Sequence, residues 1–384
     1  MSEAIAAAML RLSVPHLPAE ALEGVMAALR NGQLVHGAEG EAFEADLASY
    51  LGVAHAITVS SGTAALHLAL LALGVGPGDA VLVPDFTFPA TGNAVRLVGA
   101  VPVLVDVDAR SYCMDLAAAR RAALRWRADH PGRPLKAVMP VHEFGRPLDM
   151  ASLLEWTAAE GLLVVEDAAC AIGARSDGRL VGTLGTIGCF SLHPRKTLTT
   201  GEGGVLVTAD AGLARRLRRL RNHGMERTPE GMSFVEPGFN YRLTNFQSAL
   251  GRAQLPQLDN WIAQRHELAA LYDRALARLA AAGRLSRPQA CEGHSWQTYM
   301  VVLADDVDRT SLIRALSGRG IEANLGAQCL SALAPFEGLL AEPNAPSRAL
   351  RLYRQGLALP FCEQYGGAEI ERVVAALTRV LGLG

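Results

Sequence analysis

IGCFSLHPRKTLTTGEGGVLVTA, residues 187–209, decides how the rest of the chain is read. Two short apolar runs, IGCFSL and GGVLVTA, flank a polar loop rich in threonine and glycine. That loop is too short for a crossover helix, so one of the two strands is expected to run against its neighbours or to connect through a loop. The loop also holds Lys196, one of only two lysines among 36 basic residues. Arginine fills nearly every other cationic position. A lysine amine can lose its proton and condense with an aldehyde, whereas a guanidinium stays charged and non-nucleophilic. Lys196 is therefore a Schiff-base candidate, while Lys136, just before an expected strand, reads as a surface residue.

Upstream, apolar runs alternate with helical patterns: AITVS and AALHLALLALG; AVLVP and a helix over 90–98; VPVLVDV and LAAARRAALRWRA; KAVMPV and MASLLEWTAAEG; then LLVVED. The runs do not alternate polar with apolar, as expected of strands covered on both faces. They predict an α/β fold with a mostly parallel, mixed sheet flanked by helices. Beyond about residue 240 the pattern is a long helical stretch, with Pro256 as a kink and Gly283 as a stop. TYMVVLA, a helix over 310–317 and a last helix over 368–381 follow. The expected division is a large domain over 1–255, N-terminal segment included, and a smaller C-terminal α/β domain over 256–384.

With 384 residues, 50% of them hydrophobic, the chain is long enough for both cores. A formal net charge of −2 gives no global field to hold nucleic acid. The basic run Arg215 to Arg221 reads as the solvated face of an amphipathic helix ending at Gly224. Six cysteines without a C-x-x-C pair point to reduced thiols in a cytoplasmic protein and to no metal site. MSEAIAAAML lacks the pattern of a signal peptide, and no run of roughly 18 apolar residues predicts a membrane span. GVGPGD (74–79) follows a helix and precedes a strand, so it is a turn and not a dinucleotide loop. VHEFG (141–145) lacks the second histidine of a zinc-protease helix, and no G-x-S-x-G elbow occurs.

A lysine Schiff base suggests pyridoxal phosphate, whose ring nitrogen needs a carboxylate to stay protonated. LLVVEDAA offers Asp167 at the end of a buried strand, where ligands of α/β sheets bind, and turns Glu166 to the opposite side. The phosphate needs backbone donors at a helix N-terminus. SSGTAALHLAL (60–70) provides them through Gly62 and Thr63, and Ser191 adds a hydroxyl. Phe88 in DFTFPATGNAV is the candidate to lie flat against the ring.

The series SSGTAALHLALLALGVGPGD, VPDFTFPATGNAV, VPVLVDVD, PVHEFGRPLDM, VVEDAACAIGA, GCFSLHPRKTLTTGEGG, RNHGM and GFNYRLTNFQSALGRAQL resembles the DegT/StrS sugar aminotransferases, a family of fold type I pyridoxal phosphate enzymes. The resemblance runs from about Gly32 to the C-terminal EIERVVAAL. It implies that Lys196 binds the cofactor aldehyde, that Asp167 pairs with the ring nitrogen, and that Phe88 stacks on the ring. It likewise implies that Gly62, Thr63 and Ser191 bind the phosphate. Asn240 of GFNYR matches the position that reaches the phosphate of the neighbouring subunit, which implies a homodimer with shared active sites. Two positions depart from the family pattern. Cys170 stands where relatives often carry His, Gln or Glu near the cofactor's phenolic oxygen, and Gln297 replaces a frequent His near the substrate.

The resulting expectation is amino transfer from L-glutamate to the ketone of a nucleotide-linked keto-deoxysugar. A cyclitol ketone is an alternative acceptor. A sugar dehydratase of the same family is disfavoured by Lys196, since those relatives carry His there, and a non-catalytic cofactor-binding regulator is disfavoured by the complete set of site residues. His294, Trp296 and Gln297 are sugar-side candidates, with packing in the small domain as the simpler reading of each.

Overall fold

The computed structural model describes residues 9–229, 231–345 and 347–382. The first eight residues of MSEAIAAAML, read above as lacking a signal, fall outside them. Among the described residues no helix is long and apolar enough to cross a membrane.

Each apolar run forms a strand: β1 (His55–Val59), β2 (Ala80–Pro84), β3 (Val101–Val105), β4 (Leu135–Val138), β5 (Leu163–Asp167), β6 (Ile187–Ser191) and β7 (Gly204–Thr208). They form one seven-stranded sheet in the order β1-β7-β6-β5-β4-β2-β3. Pairs among β2 to β6 are parallel, whereas β7 is antiparallel to both β6 and β1. The reversed strand is thus the one that follows the Lys196 loop, as the short connection requires.

Helices cover both faces, which is why these strands read as continuous apolar runs. Helices α1 (Ala19–Arg30) and α2 (Ala38–Leu51) precede the sheet; α3 (Gly62–Ala72), α4 (Ala90–Leu97), α5 (Leu116–Asp129), α6 (Met150–Glu160) and α7 (Ala211–Arg221) alternate with its strands. Val81 and Val83 of β2 pack with α3, α4 and α7, while the intervening Ala80 and Leu82 pack with α5 and α6. Helix α3 is apolar nearly all round because it is buried nearly all round.

The basic run is corrected at Arg221. It is not part of a solvated face but 6% exposed, with its guanidinium on Glu44 and on the carbonyl of Thr58. Helix α7 presents Ala214, Leu217 and Leu220 inward, and Arg221 closes its last turn against β1 and α2. Glu44 also accepts from the backbone N–H and hydroxyl of Thr58, at 2.9 and 3.0 Å. The pair thereby keeps the hydrogen bonds that a buried charge needs.

Pro256 lies in a single 3-10 turn (Leu255–Gln257) between α8 (Asn245–Gln254) and α9 (Leu258–Ala275). A second core gathers α9, the antiparallel strands Leu285–Ser286, Tyr299–Leu303 and Gly356–Leu359, and the helices Arg309–Ser317 and Gly367–Val380. We propose a division at 255/256 with two exchanges across it. Leu10 and Leu12 bond to the second unit, Leu10 N–H to Gly320 O at 2.9 Å and Phe361 N–H to Leu12 O at 3.0 Å. In return, Gln328–Cys329 pairs with Phe86–Thr87, and Leu330 and Phe336 join the core around α3 and α4.

Candidate active site

The site lies at the carboxyl ends of the central strands. Asp167 ends β5 and is 4% exposed. The Thr91 hydroxyl donates to its Oδ2 at 2.8 Å and Ala169 N–H to its Oδ1 at 3.1 Å. Burial pushes its carboxyl above the usual range, opposed by these donors and by the charge of Lys196. Glu166, one residue earlier, faces the other side as strand alternation requires. It accepts from Gly182 N–H at 2.7 Å, Leu184 N–H at 2.6 Å and His142 Nε2 at 3.0 Å. Burial alone would raise Glu166, but His142 and the N–H groups of Gly185 and Gly182 hold it below its ordinary value. Glu166 thus anchors the strand from behind and leaves Asp167 to face the site.

Lys196 is half-buried and donates from Nζ to Cys170 Sγ at 2.9 Å. Burial raises the Cys170 thiol, so at neutral pH it keeps its proton. The loop between β6 and β7 is tied down along its length. Leu192 N–H bonds Gly203 O at 2.8 Å and Lys196 N–H bonds His193 O at 2.8 Å. Thr197, Leu198, Thr199 and Thr200 are buried. From α8, Gln254 accepts from Thr199 N–H at 3.2 Å and donates to Thr199 O at 2.7 Å, while Gln247 donates to Thr200 O and Glu202 O. The threonines and glycines of the motif therefore hold a fixed loop, and the reactive amine is presented from a rigid base.

Opposite, Ser61 caps α3, accepting from Ala64 N–H at 3.1 Å through its hydroxyl and from Ala65 N–H at 3.1 Å through its carbonyl. Among the described residues the N–H groups of Gly62 and Thr63 have no partner, so the positive end of α3 is free to hold an anion. Gly62 is required by close approach: a Cβ there would lie 2.8 Å from Ser191 Cβ. That contact brings the Ser191 hydroxyl of β6 to the same place. An unpaired helix N-terminus, a buried carboxylate and an amine at the ends of adjoining strands fit a phosphate-bearing aldehyde with a basic ring nitrogen.

Among the other expected residues, Phe88 is 70% exposed, which leaves its ring free to cover a ligand. Asn240 is exposed; its backbone bridges to Asn222 and its side chain makes no hydrogen bond among the described residues. His294 and Trp296 are buried and stack on each other at 3.9 Å, so packing is their role here. Gln297 donates to Arg195 O at 2.8 Å, bracing the residue before Lys196. Arg265, paired with Glu363 at 2.8 Å, holds the carbonyls of Trp296 and Gln297 in turn.

Two contributors escaped the sequence reading. Thr91 stands four residues after Thr87 in the first turn of α4, and only that spacing hinted at two hydroxyls in contact. Glu143 lies in VHEFG, set aside because it lacks a zinc pattern. The turn folds with Phe144 at φ 57° and Gly145 at φ 92°. A Cβ on Gly145 would meet Ser295 Oγ at 2.4 Å. Phe144 thereby joins the rings of Phe86 and Tyr112, and the Glu143 carboxyl is buried within electrostatic reach of Lys196 and Asp167.

The family model of the DegT/DnrJ/EryC1/StrS aminotransferases matches residues 15–378. The chain is 40% identical to GDP-perosamine synthase of Caulobacter vibrioides over 343 residues, covering 88% of this chain and 89% of that one. It is 38% identical to UDP-N-acetyl-3-dehydro-alpha-D-glucosamine 3-aminotransferase of Acidithiobacillus ferrooxidans over 376 residues, covering 97% and 96%. The solved structure of DesV from S. venezuelae superposes with a TM-score of 0.85 at 34% identity, over 96% of this chain and 99% of that one. With the fold, the near-complete coverage and the strand-end site in agreement, the chain belongs to the DegT/DnrJ/EryC1/StrS aminotransferase family.

Proposed function

We propose that this aminotransferase uses pyridoxal 5′-phosphate to move an amino group from L-glutamate to the ketone of a nucleotide-linked keto-deoxysugar, giving a nucleotide amino sugar. The observation that carries the reading is the convergence of Lys196, Asp167 and the open N-terminus of α3 at one edge of the sheet. The bound cofactor would supply an aldehyde and an electron-withdrawing ring. Lys196 would hold the aldehyde and move a proton as the amino group is passed on. Asp167 would keep the ring nitrogen protonated. Phe88 would cover the ring, Cys170 would lie on its phenolic side, and Gly62, Thr63 and Ser191 would bind the phosphate.

Two different nucleotides occur in the names of the relatives, GDP in one and UDP in the other. The experiment therefore incubates the loaded enzyme with ¹⁵N-labelled L-glutamate and a panel of GDP-, UDP- and dTDP-linked keto-sugars. An amino sugar carrying the heavy nitrogen is expected from one member; labelled amine on none of them, with glutamate still consumed against a cyclitol ketone, would reassign the acceptor. Gly62→Ala is expected to raise the Kd for pyridoxal phosphate ten- to a hundredfold, because a Cβ crowded against Ser191 displaces the backbone donor at about the cost of one hydrogen bond to a charged group. Absorbance titration measures it, and an unchanged Kd would remove Gly62 from the phosphate site.

We also propose a homodimer in the cytoplasm in which Asn240 reaches the partner's phosphate. Support comes from the exposed, unengaged Asn240 and from apolar side chains open to solvent nearby in sequence, Met232, Phe234 and Val235, and on α1, Leu22, Met26 and Leu29. All six cysteines are free, in keeping with a reducing compartment. Sedimentation of the active enzyme as a monomer would overturn the shared site.

A further inference from the structure

Gln328 reaches the edge of the site from the second unit and takes no part in the steps given above. The short strands Phe86–Thr87 and Gln328–Cys329 pair antiparallel, with Gln328 directly opposite Thr87 and Cys329 opposite Phe86. Opposite residues of such a pair put their side chains on the same face, with Cβ atoms about 4.5–5.5 Å apart. On one face Phe86 and Cys329 join the cluster of Phe144, Met300 and Ala327. The other face belongs to Thr87 and Gln328. Thr87 Oγ1 lies 3.1 Å from Thr91 Oγ1, and Thr91 donates to Asp167 Oδ2 at 2.8 Å. The Gln328 side chain therefore stands on the Asp167 side of this ladder, across from the residue that precedes Phe88.

The segment that carries Gln328 is fixed at both ends. Upstream, Ala358 N–H donates to Asn324 O at 2.8 Å, and Gly326 packs so closely on Met300 that a Cβ would collide with the sulfur. Downstream, Leu330 N–H donates to Asp85 O at 2.7 Å. The fully buried Asp85 carboxylate accepts from the N–H and the hydroxyl of Ser331, both at 2.7 Å, and from the Cys329 thiol at 3.3 Å. These donors satisfy a buried carboxylate and anchor the segment just beyond the carboxyl end of β2. Gln328 itself is half-buried, its carboxamide makes no hydrogen bond among the described residues, and neither amide atom is sealed from solvent. A rigid backbone thus presents an unengaged group that both donates and accepts. A neutral amide offers no charge to the carboxylates of glutamate, whereas it matches a sugar hydroxyl, which also donates and accepts.

We propose that Gln328 is a specificity-determining residue that reads a ring hydroxyl of the sugar through its carboxamide, on a segment held in place by Asp85. The inference deepens the reading of the acceptor as a nucleotide-linked sugar and rests on it.

Calorimetry on the cofactor-loaded enzyme tests it, with nucleotide sugars that carry no ketone and so bind without amino transfer. GDP-mannose, UDP-N-acetylglucosamine and dTDP-glucose are each compared with the bare nucleoside diphosphate, and the ratio of the two Kd values isolates what the sugar contributes. Wild type is expected to bind at least one of the three more tightly than its nucleotide. Gln328→Met, similar in length but apolar, is expected to lose about tenfold of that advantage, the loss of one hydrogen bond, with the Kd of the bare nucleotide unchanged. A preference that survives intact in Gln328→Met overturns the proposal and leaves the proposed function standing. An equal loss for sugar and bare nucleotide overturns it as well, since the residue would then serve packing or the nucleotide. A wild type that prefers none of the three over its nucleotide refutes the role of Gln328 and the nucleotide-sugar reading together. If a melting curve shows that Gln328→Met does not fold, Gln328→Asn takes its place: it keeps the amide but withdraws it by one methylene, and the same loss is expected and the same survival of preference overturns the proposal.

Discussion

Replacing Lys196 with arginine is expected to keep the positive charge, the fold and the loop, and to lower kcat by about 10⁴-fold, the upper range for losing a positioned proton-transfer group. The guanidinium neither attacks the aldehyde carbon nor gives up a proton near neutral pH. The loop survives because its hydrogen bonds run through backbone, threonine and glutamine groups and not through the amine. Stopped-flow consumption of L-glutamate and a melting curve distinguish the outcomes. A Lys196→Arg variant with normal turnover would remove this residue from the chemistry, whereas a collapsed melting temperature would show a structural role that the bonding pattern does not predict.

Asp167→Asn is the second large effect. The amide retains an acceptor for Thr91 or Ala169 but loses the charge that holds a proton on the cofactor's ring nitrogen. Breaking a buried, hydrogen-bonded ion pair costs about 3–5 kcal/mol, so kcat should fall by two to three orders of magnitude or more. The cofactor still binds through its phosphate and through Lys196, so the visible band persists while the proton-transfer step slows. A loss of less than about tenfold would mean that Asp167 does not face the ring nitrogen. Glu166→Gln provides the contrast: it acts from behind the strand, so its effect should appear in stability, where it weakens the bonds to His142, Gly182 and Leu184.

Much of this was legible in the sequence because certain positions are chemically hard to replace. Lys196 stood out against a background of arginine, and the short link between IGCFSL and GGVLVTA already implied the reversed strand that β7 proves to be. Gly62 was read as a phosphate donor at a helix start, and only the packing of α3 on Ser191 shows why no side chain fits there. Glu143 was invisible for a different reason. Its entry into the site depends on a left-handed Phe144, a conformation that costs about 1–3 kcal/mol for such a residue and is held by the ring cluster around it. No periodicity marks such a turn. Arg221 shows the opposite failure: a run of arginines has the pattern of a solvated face, yet the last one meets Glu44 across more than 170 positions of sequence, a pairing that only the tertiary fold creates. The exchange of Leu10 and Leu12 into the second core has no local signal either.

The most direct measurement is borohydride reduction of the pyridoxal phosphate-loaded protein, followed by peptide mapping before and after addition of L-glutamate alone. One pyridoxyl group on Lys196, lost from the protein when glutamate is added first and replaced by free 2-oxoglutarate, is the expected result. Label on Lys136, or label on Lys196 that glutamate leaves untouched, would contradict the assignment of Lys196 as the residue through which glutamate gives up its amino group.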